Sequence, residues 1–428
     1  MTPTHLPYLT QSTPGIGGSL KQRPEDFFVQ EVPLYEASGE GEHVYAEIQK
    51  VNLTTFDAIN RIASALKISN RDIGYAGLKD ARAVTRQVFS IPGTTPEAVM
   101  QLQVPDITIG WAARHTNKLR IGHLKANRFA IKVRDVNPTD VVKLRPVLDV
   151  IEKRGMPNYF GDQRFGRRGN NDELGAALVA GDNERLLKLL LGSPNPEIDD
   201  PQTLRARQAF DERDNELAMR IYPRSHGMER RILLRLMKTH KPGAAVRAID
   251  EKLRRLWVTA LQSRLFNEVL AKRLEVDALD RLLDGDLAMK HENGACFAVE
   301  SAAAEQPRAD AFEISPTGPM VGYRMTLPQG EPLRTEEEVF ARAGLTKESF
   351  RQSGHIRAKG DRRPLRVQPT ETKLEAGVDE HGPHITVAFT LPAGSYATVL
   401  LRELMKDDRE GDRGNNSGEG VSPSHPRL

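Results

Sequence analysis

The chain has 428 residues and a net charge of +3, with 61 Lys and Arg against 58 Asp and Glu. This length exceeds what one compact core holds and predicts two domains. No apolar run approaches the roughly 20 residues of a membrane span, and the single cysteine, Cys296, excludes an intrachain disulfide. The first residues lack the basic start and apolar middle of an export signal, so we expect a cytoplasmic protein that binds no metal.

The first third of the chain predicts a sheet with helices. Residues 24–50 read as two strands joined by the polar loop EASGEGEH, and residues 54–69 have helical apolar spacing after a Thr cap. Alternating apolar and polar residues then predict strands at VTRQVFSI and RFAIKVRDV. Residues 137–155 predict a helix that is capped by Thr139 and ends at Gly155.

The middle of the chain changes character. Residues 170–275 are dominated by helical patterns, and short strands are predicted again in GACFAVE and MVGYRM. Residues 384–404 then predict an alternating strand, a Pro-Gly turn and a helix, whereas residues 407–428 have no apolar periodicity and are predicted to be disordered. Strands at both ends of a helical middle indicate a sheet domain interrupted by an insertion, although pattern alone does not establish which distant strands pair.

Basic residues are segregated along the chain. Residues 222–257 contain ten Lys and Arg against three acidic residues, and residues 351–366 contain six against Asp361 alone. Such segregation is typical of a surface that binds a polyanion, but a solvated helix face has the same composition. Both interpretations stay open at this point.

The segment GYAGLKDARAVTRQ, residues 74–87, is the most unusual in the chain. It lacks the glycine spacing of a phosphate-binding loop, and Asp80 stands where that loop has Ser or Thr after its Lys. One interpretation is a turn in which the glycines supply positive backbone angles. The other is a polar cleft, because Thr85, Arg86 and Gln87 follow on the predicted strand.

A carboxylate at this loop needs a cationic partner to stay charged and available as a nucleophile. Neighbouring side chains of an extended backbone leave opposite faces, so Lys79 is not expected to be the partner of Asp80. Lys21, Arg82 and Arg86 are the candidates.

The segment PNYFGDQRFGRRG, residues 157–169, interleaves aromatic and arginine side chains. Aromatic rings can stack on bases and guanidinium groups can pair with phosphates, so we expect Tyr159, Phe160 and Phe165 to face nucleic acid. The alternative is a capped turn whose aromatic rings pack inward.

Seven segments together resemble one family, the TruD-type tRNA pseudouridine synthases. The resemblance runs in order from about Ser19 to Met405. It is carried by KQRPEDFFVQE, GYAGLKDARAVTRQ, GHLKANRF, GMPNYFGDQRFG, ALQSRLFNEVL, SPTGPMVG and LPAGSYATVLLREL.

The resemblance implies isomerisation of uridine 13 of tRNA to pseudouridine without a cofactor. Asp80 matches the family's catalytic aspartate, and the carboxylate attacks either the uracil ring or the ribose of a base that has left its stack. The substrate-contacting positions of the family fall on Phe27, Asn127 and Tyr396, where the family usually has Phe in place of Tyr396. Phe129 follows as a neighbouring pocket residue and Lys21 as a further binding residue.

The resemblance also implies an α+β architecture, a mixed-sheet catalytic domain split by an inserted α+β domain. The catalytic domain is expected at residues 19–154 and 364–406, the insertion at 155–363, and a disordered tail at 407–428. The implied partner is tRNA, with no membrane and no metal. The oligomeric state stays open, with a monomer as one plausible state.

Two alternatives to the isomerase use the same residues. The basic runs alone would suit a non-catalytic RNA-binding or RNA-folding protein. A carboxylate with an aromatic clamp would suit a glycosidase that releases the base, although a hydrolase is expected to hold a second carboxylate near the first.

Overall fold

The computed structural model describes residues 6–351 and 356–406, so the tail predicted at 407–428 lies outside the described residues. The chain divides into two compact units. The unit that we call the sheet unit comprises residues 8–157 and 367–406. The other, the helical unit, comprises residues 6–7, 158–351 and 356–366. No helix among the described residues has the length and apolar character needed to cross a bilayer.

The first segment of the sheet unit carries most of its strands. In chain order it contains β1 (Phe27–Pro33), β2 (His43–Val51), α1 (Thr55–Leu66), β3 (Gly74–Tyr75), β4 (Val84–Pro92), α2 (Pro96–Met100), β5 (Ile107–His115), β6 (Leu124–Arg134), α3 (Val141–Arg154) and β7 (Met156–Pro157). Helix α1 begins as predicted, since the Thr54 side chain accepts a hydrogen bond from the Asp57 amide. The predicted Thr139 cap of α3 is wrong, because a 3-10 turn at Pro138–Asp140 precedes the helix.

The helical unit is helix-rich and contains one small sheet. In chain order it contains α4 (Asn171–Ala180), α5 (Asn183–Leu191), α6 (Pro201–Asp211), α7 (Asn215–Ile221), α8 (Gly227–Thr239), α9 (Pro242–Arg247), α10 (Glu251–Glu275), β8 (Leu287–Lys290), β9 (Cys296–Ala298), α11 (Ala302–Asp310), β10 (Ile314–Met320), α12 (Gly330–Arg342) and β11 (Asp361–Pro364), followed by β12 (Arg366–Val367). Trp257, Leu261 and Leu265 of α10 are buried in its main core. The strand predicted at MVGYRM is wrong: β10 ends at Met320, and Val321 and Met325 are buried core residues outside any strand.

The second segment of the sheet unit completes the large sheet. It contains β13 (Thr370–Asp379), β14 (Gly382–Pro392) and α13 (Ala397–Met405), which confirms the predicted strand, turn and helix. The strand order is β13-β14-β6-β1-β4-β2-β5, with β3 paired to β4. Strands β1 and β4 are parallel, while β14 pairs antiparallel with β6. The predicted α+β class is confirmed, with a mixed sheet built from two distant segments of the chain.

One face of this sheet is buried and includes polar residues at its centre. On one side of that face α1 packs Ile59 and Ile62 against Ile48 and Phe89 of the sheet. At the centre, Glu31, Lys50, Thr85 and Gln87 are also buried. Register places Val29 opposite Thr85, so β1 and β4 bring these polar positions together on the same face. The polar centre lies directly behind the loop that carries Asp80.

Candidate active site

The loop between β3 and β4 carries Asp80, and strand β3 before it is held by a close backbone approach at Gly74. Gly74 does not adopt a positive φ. A Cβ at Gly74 would lie 2.3 Å from the Leu119 carbonyl oxygen and 2.4 Å from Ser90 Oγ, so only glycine fits. A Cβ at Gly77 would meet nothing nearer than Lys79 Nζ at 4.0 Å. The interpretation that these glycines supply positive backbone angles is therefore wrong, and Gly74 is required by tight packing instead.

Lys79 and Asp80 form ion pairs with different residues, which confirms that Lys79 is not the ion partner of Asp80. Lys79 Nζ lies 2.7 Å from Glu31 Oε1, and both side chains are buried. The Asp80 Oδ2 atom accepts a hydrogen bond from Lys21 Nζ at 2.7 Å. The side chain of Asp80 remains 37% exposed. The carboxylate is thus paired on one side and open to solvent on another.

Lys21 lies between the carboxylate and an aromatic ring. Its Nζ atom is 4.3 Å from the centroid of the Phe27 ring, within the range of a cation–π contact. Its backbone adopts the left-handed region, with φ of 53°, a conformation that a non-glycine residue adopts at some cost. Of the other candidate cations, Arg82 donates to the Gln22 carbonyl and Arg86 to Gln49.

Phe27 and Phe129 form a buried aromatic wall behind Lys21. Their rings meet edge to face at 6.5 Å, and Phe129 stacks on Phe389 at 5.2 Å. Phe27 is 4% exposed and Phe129 7%. Both rings are therefore largely buried, and the Lys21 ammonium that pairs with Asp80 lies over the Phe27 ring.

Asn127 and Tyr396 are placed by the pairing of β6 with β14. Asn127 lies two residues before Phe129 on the same face of β6, opposite Leu391. Its Oδ1 atom is buried and, within the described residues, accepts no hydrogen bond. Tyr396 is half-buried at the N-terminal end of α13, four residues beyond Pro392, which lies opposite Ala126. Tyr396 therefore follows shortly after β14, the strand that pairs with the strand of Asn127.

Three polar residues hold the loop from behind, and the sequence analysis named only Gln87 among them. Lys50 Nζ donates to the Asp80 carbonyl oxygen at 3.0 Å, and Thr55 Oγ1 accepts from the Lys79 amide at 3.0 Å. Gln87 donates to the Gly77 carbonyl at 3.3 Å. The burial of Lys50 could have been predicted, because Lys50 alternates in phase with the buried apolar residues of β2.

The expectation that aromatic residues of 157–169 face nucleic acid is wrong. Tyr159 is 2% exposed, Phe160 7% and Phe165 9%. The segment is fixed from within its own unit, since Asn267 accepts from the Phe160 amide at 2.9 Å and donates to the Phe160 carbonyl at 3.0 Å. The structure therefore has the alternative arrangement, a turn whose aromatic rings pack inward.

The two basic runs also differ in their burial. Most Lys and Arg residues of the first run are exposed, namely 224, 231, 235, 238, 241, 247, 252 and 255. In the second run Arg362 is buried against Glu336 at 2.7 Å, and Arg366 is buried with its guanidinium over the Phe312 ring. Among the described residues, the first run has eight exposed cations, whereas the second has three, Arg351, Arg357 and Lys359.

Comparison with known proteins agrees with this fold and these motifs. The family model described as tRNA pseudouridine synthase D (TruD) matches residues 4–404. The chain is 46% identical over 403 residues to tRNA pseudouridine synthase D of Geotalea daltonii, covering 94% of this chain and 99% of that protein. It is 47% identical over 405 residues to the protein of the same name from Geobacter metallireducens, covering 94% and 98%.

A solved structure supports the same assignment. The crystal structure of a provisionally assigned tRNA pseudouridine synthase D from Methanosarcina mazei matches with a TM-score of 0.83 at 30% identity, covering 94% of this chain and 96% of that one. The fold and these matches define the class of RNA-modifying isomerases built on a mixed sheet. The chain belongs to the tRNA pseudouridine synthase D family.

Proposed function

We propose that this protein isomerises uridine 13 of tRNA to pseudouridine, with Asp80 as the nucleophile and the target base flipped out of its stack. Family membership supplies the coarser activity, isomerisation of uridine to pseudouridine in tRNA. The target position and the residue roles are the proposal. Its main support is the Asp80 carboxylate, paired with Lys21 at 2.7 Å and still 37% exposed.

The reaction needs a nucleophile and a pocket but no external reagent. In pseudouridine formation the N1–C1′ bond breaks, the base turns, a C5–C1′ bond forms, and the C5 proton is lost while N1 gains one. Atoms and electrons balance within the nucleoside, so no cofactor is required. Asp80 would form a transient covalent bond to the uracil ring or to the ribose, and both routes stay open.

The proposed binding residues would hold the extruded base. Lys21 is the counter-ion of the nucleophile, and Phe27 and Phe129 would line the floor of the site. The buried Oδ1 atom of Asn127 is an acceptor for a uracil N–H, because it accepts no hydrogen bond within the described residues. The Tyr396 ring would cover the base, and its hydroxyl would face water or the RNA.

The two units are proposed to divide the work between chemistry and substrate binding. The catalytic domain expected at residues 19–154 and 364–406 would correspond to the sheet unit, and the insertion expected at 155–363 would correspond to the helical unit and bind tRNA. The exposed cations of residues 224–255 support this division, since phosphate contacts dominate nucleic-acid affinity. Because its substrate would be tRNA, the enzyme is proposed to act in the cytoplasm.

Incubation with an unmodified tRNA transcript tests the proposal. Pseudouridine would be mapped for the wild-type protein and Asp80→Asn, with a second transcript that has cytidine at position 13 as the substrate control. We expect modification of position 13 by the wild type, none by Asp80→Asn, and tritium release from 5-tritiated uridine in the wild-type reaction only. Equal thermal unfolding of the two proteins controls for folding.

The other outcomes identify the alternatives. Full activity of Asp80→Asn would contradict the nucleophile assignment, and release of free uracil would indicate a glycosidase. In an RNA-folding protein, Asp80→Asn would change nothing, while reversal of the charges at Arg231, Arg235 and Lys238 would abolish function. In the proposed isomerase the same reversal weakens tRNA binding and makes it less salt-dependent, and single-turnover chemistry at saturating enzyme is retained.

A further inference from the structure

Lys50 is a fully buried lysine directly behind the loop of Asp80. It lies on β2 in phase with Val44, Ala46 and Ile48, and like them it is 0% exposed. Its ammonium donates to the Leu53 carbonyl oxygen at 2.5 Å and to the Asp80 carbonyl oxygen at 3.0 Å. A lysine in such a position is uncommon, because burial of a charge is unfavourable unless the charge has hydrogen-bond partners.

The packing at this position does not explain a lysine. The neighbours of Lys50 across the sheet are Thr85 on β4 and Ile107 on β5, and neither can form an ion pair. An apolar side chain of similar length would fill the same space. What the ammonium adds is two charge-assisted hydrogen bonds, one of which ends on the backbone of Asp80.

The carbonyl of Asp80 controls where its carboxylate points. The loop is already fixed at Gly77 by Gln87 and at Lys79 by Thr55 and Glu31. The bond from Lys50 extends this series of contacts to Asp80 itself and fixes the peptide plane that follows its Cα atom. The aspartate side chain has only two rotatable bonds. The orientation of the backbone therefore limits where its oxygens can lie.

We propose that Lys50 is a positioning residue, whose ammonium fixes the Asp80 backbone and so directs the carboxylate toward the reacting base. The inference rests on Asp80 being the nucleophile, as proposed above. It predicts that loss of the ammonium slows the chemical step and leaves tRNA binding intact. A misplacement of about 1 Å of a reacting group can reduce a rate by about 100-fold.

Protonation of Lys50 provides a second readout. Burial lowers the pKa of Lys50 to about 8, and the Lys79 charge acts in the same direction, while the Asp80 and Asp57 carboxylates oppose it. Thr85 and Ile107, which face it from β4 and β5, do not titrate in this range. Above about pH 8 the group becomes an amine, which donates weaker hydrogen bonds than an ammonium. Positioning by Lys50 should therefore weaken in alkaline solution.

The test compares single-turnover rates and tRNA affinity for Lys50→Met, which removes the charge and keeps the length. The control is Lys118→Met, since Lys118 also donates to a backbone carbonyl of the sheet unit, that of Arg71 at 2.8 Å. We expect a rate about 10- to 100-fold lower for Lys50→Met with Kd for tRNA within about threefold. Lys118→Met should react at the wild-type rate, and Lys50→Arg should recover part of the loss.

Each outcome decides the question. A Lys50→Met protein that reacts within threefold of the wild-type rate, in an assay where Asp80→Asn is inactive, overturns the positioning role. An active Asp80→Asn protein contradicts the nucleophile assignment instead, so the two failures are distinguishable. If Lys50→Met does not fold, the pH profiles decide: the wild-type rate should fall above about pH 8 and that of Lys50→Arg should not. Equal alkaline decreases in both would refute the inference.

Discussion

The Lys79 ammonium lies 2.7 Å from the Glu31 carboxylate, in an ion pair that the sheet unit buries one residue before Asp80. Glu31 also accepts a hydrogen bond from the Val88 amide at 3.1 Å. The pair therefore connects β1, β4 and the Asp80 loop in the interior. With Lys79 directed inward, the next side chain is directed toward Lys21 and solvent.

Breaking this pair should destabilise the protein strongly. Glu31→Gln leaves the Lys79 charge buried without a counter-ion, and such a loss costs about 3–5 kcal/mol. The double variant Glu31→Gln with Lys79→Met removes both charges, keeps an acceptor for the Val88 amide and should recover most of that stability, while its activity stays low because the loop loses an anchor. Urea unfolding and single-turnover rates measure the two effects. Equal destabilisation of the single and double variants would contradict the buried-charge explanation.

Lys21 should matter for chemistry more than for stability. Its ion pair with Asp80 is partly exposed, with side-chain exposures of 26% and 37%, and exposed pairs contribute at most about 1 kcal/mol. Lys21→Met should leave the melting temperature nearly unchanged and reduce the single-turnover rate by about tenfold or more, because the nucleophile loses its counter-ion. Lys21→Arg should retain more activity than Lys21→Met. If Lys21→Met reacted at the wild-type rate, Lys21 would have no role in the chemical step.

Gly74 in strand β3 and Gly77 in the loop that follows should respond differently to alanine. At Gly74 a Cβ would fall 2.3 Å from the Leu119 carbonyl oxygen, and overpacking of this kind costs about 1–3 kcal/mol. At Gly77 the added methyl group has open space, so Gly77→Ala is the matched control and should unfold at nearly the wild-type temperature. Thermal unfolding compares the pair. If both were tolerated, strand β3 would have to be less closely packed than described.

Lys50 should give the stability of the protein a characteristic alkaline dependence. Its folded-state pKa of about 8 is below the value of an unfolded lysine, about 10.4. Between these values the folded protein releases a proton that the unfolded chain still holds, so the unfavourable burial of charge diminishes as pH rises. The wild type should therefore gain stability relative to Lys50→Met between pH 8 and 10. Urea unfolding at pH 7 and 9.5 measures this difference, and a constant difference would mean that folded Lys50 keeps its proton over this range, so that its pKa is not lowered.

An acid dependence should come from Asp379. Hydrogen bonds from Arg134 and Lys132 hold the pKa of the Asp379 carboxyl well below its usual range. A depressed folded-state pKa contributes stability above the unfolded value, near pH 4, and that contribution is lost as pH falls further. Asp379→Asn should be less stable than the wild type at pH 7, and the difference should shrink progressively as pH falls below about 4. Circular dichroism during acid titration checks this expectation.

The sequence predicted the class of the fold well because helices and strands are local patterns. The strand, turn and helix at residues 384–404 follow from alternation and turn chemistry within a short window. The position of β14 beside β6 could not be predicted, because a local pattern carries no information about which distant strand is its partner. Burial was misjudged for the same reason: Tyr159 and Phe160 are surrounded by residues from elsewhere in the chain.

For the candidate site, the motif resemblance supplied Asp80, and charge reasoning supplied Lys21 as one of three possible partners. The residues behind the loop required the structure, since Lys50, Thr55 and Gln87 come from three different elements. Their polar character was visible in the sequence. The register between β2 and β4 places Lys50 and Gln87 close together on one face, and the Thr55 side chain at the start of α1 reaches Gln87.

The pairing of β14 with β6 has a consequence for synthesis of the chain on the ribosome. Strand β6 ends at Arg134 and its partner β14 begins at Gly382, so the whole helical unit is translated before the sheet can close. During that interval β6 presents an unpaired edge next to the apolar side chains of β1, a state prone to aggregation. The nascent sheet unit should therefore depend on chaperones until its last helix emerges, while the helical unit, one nearly continuous stretch of sequence, can fold first.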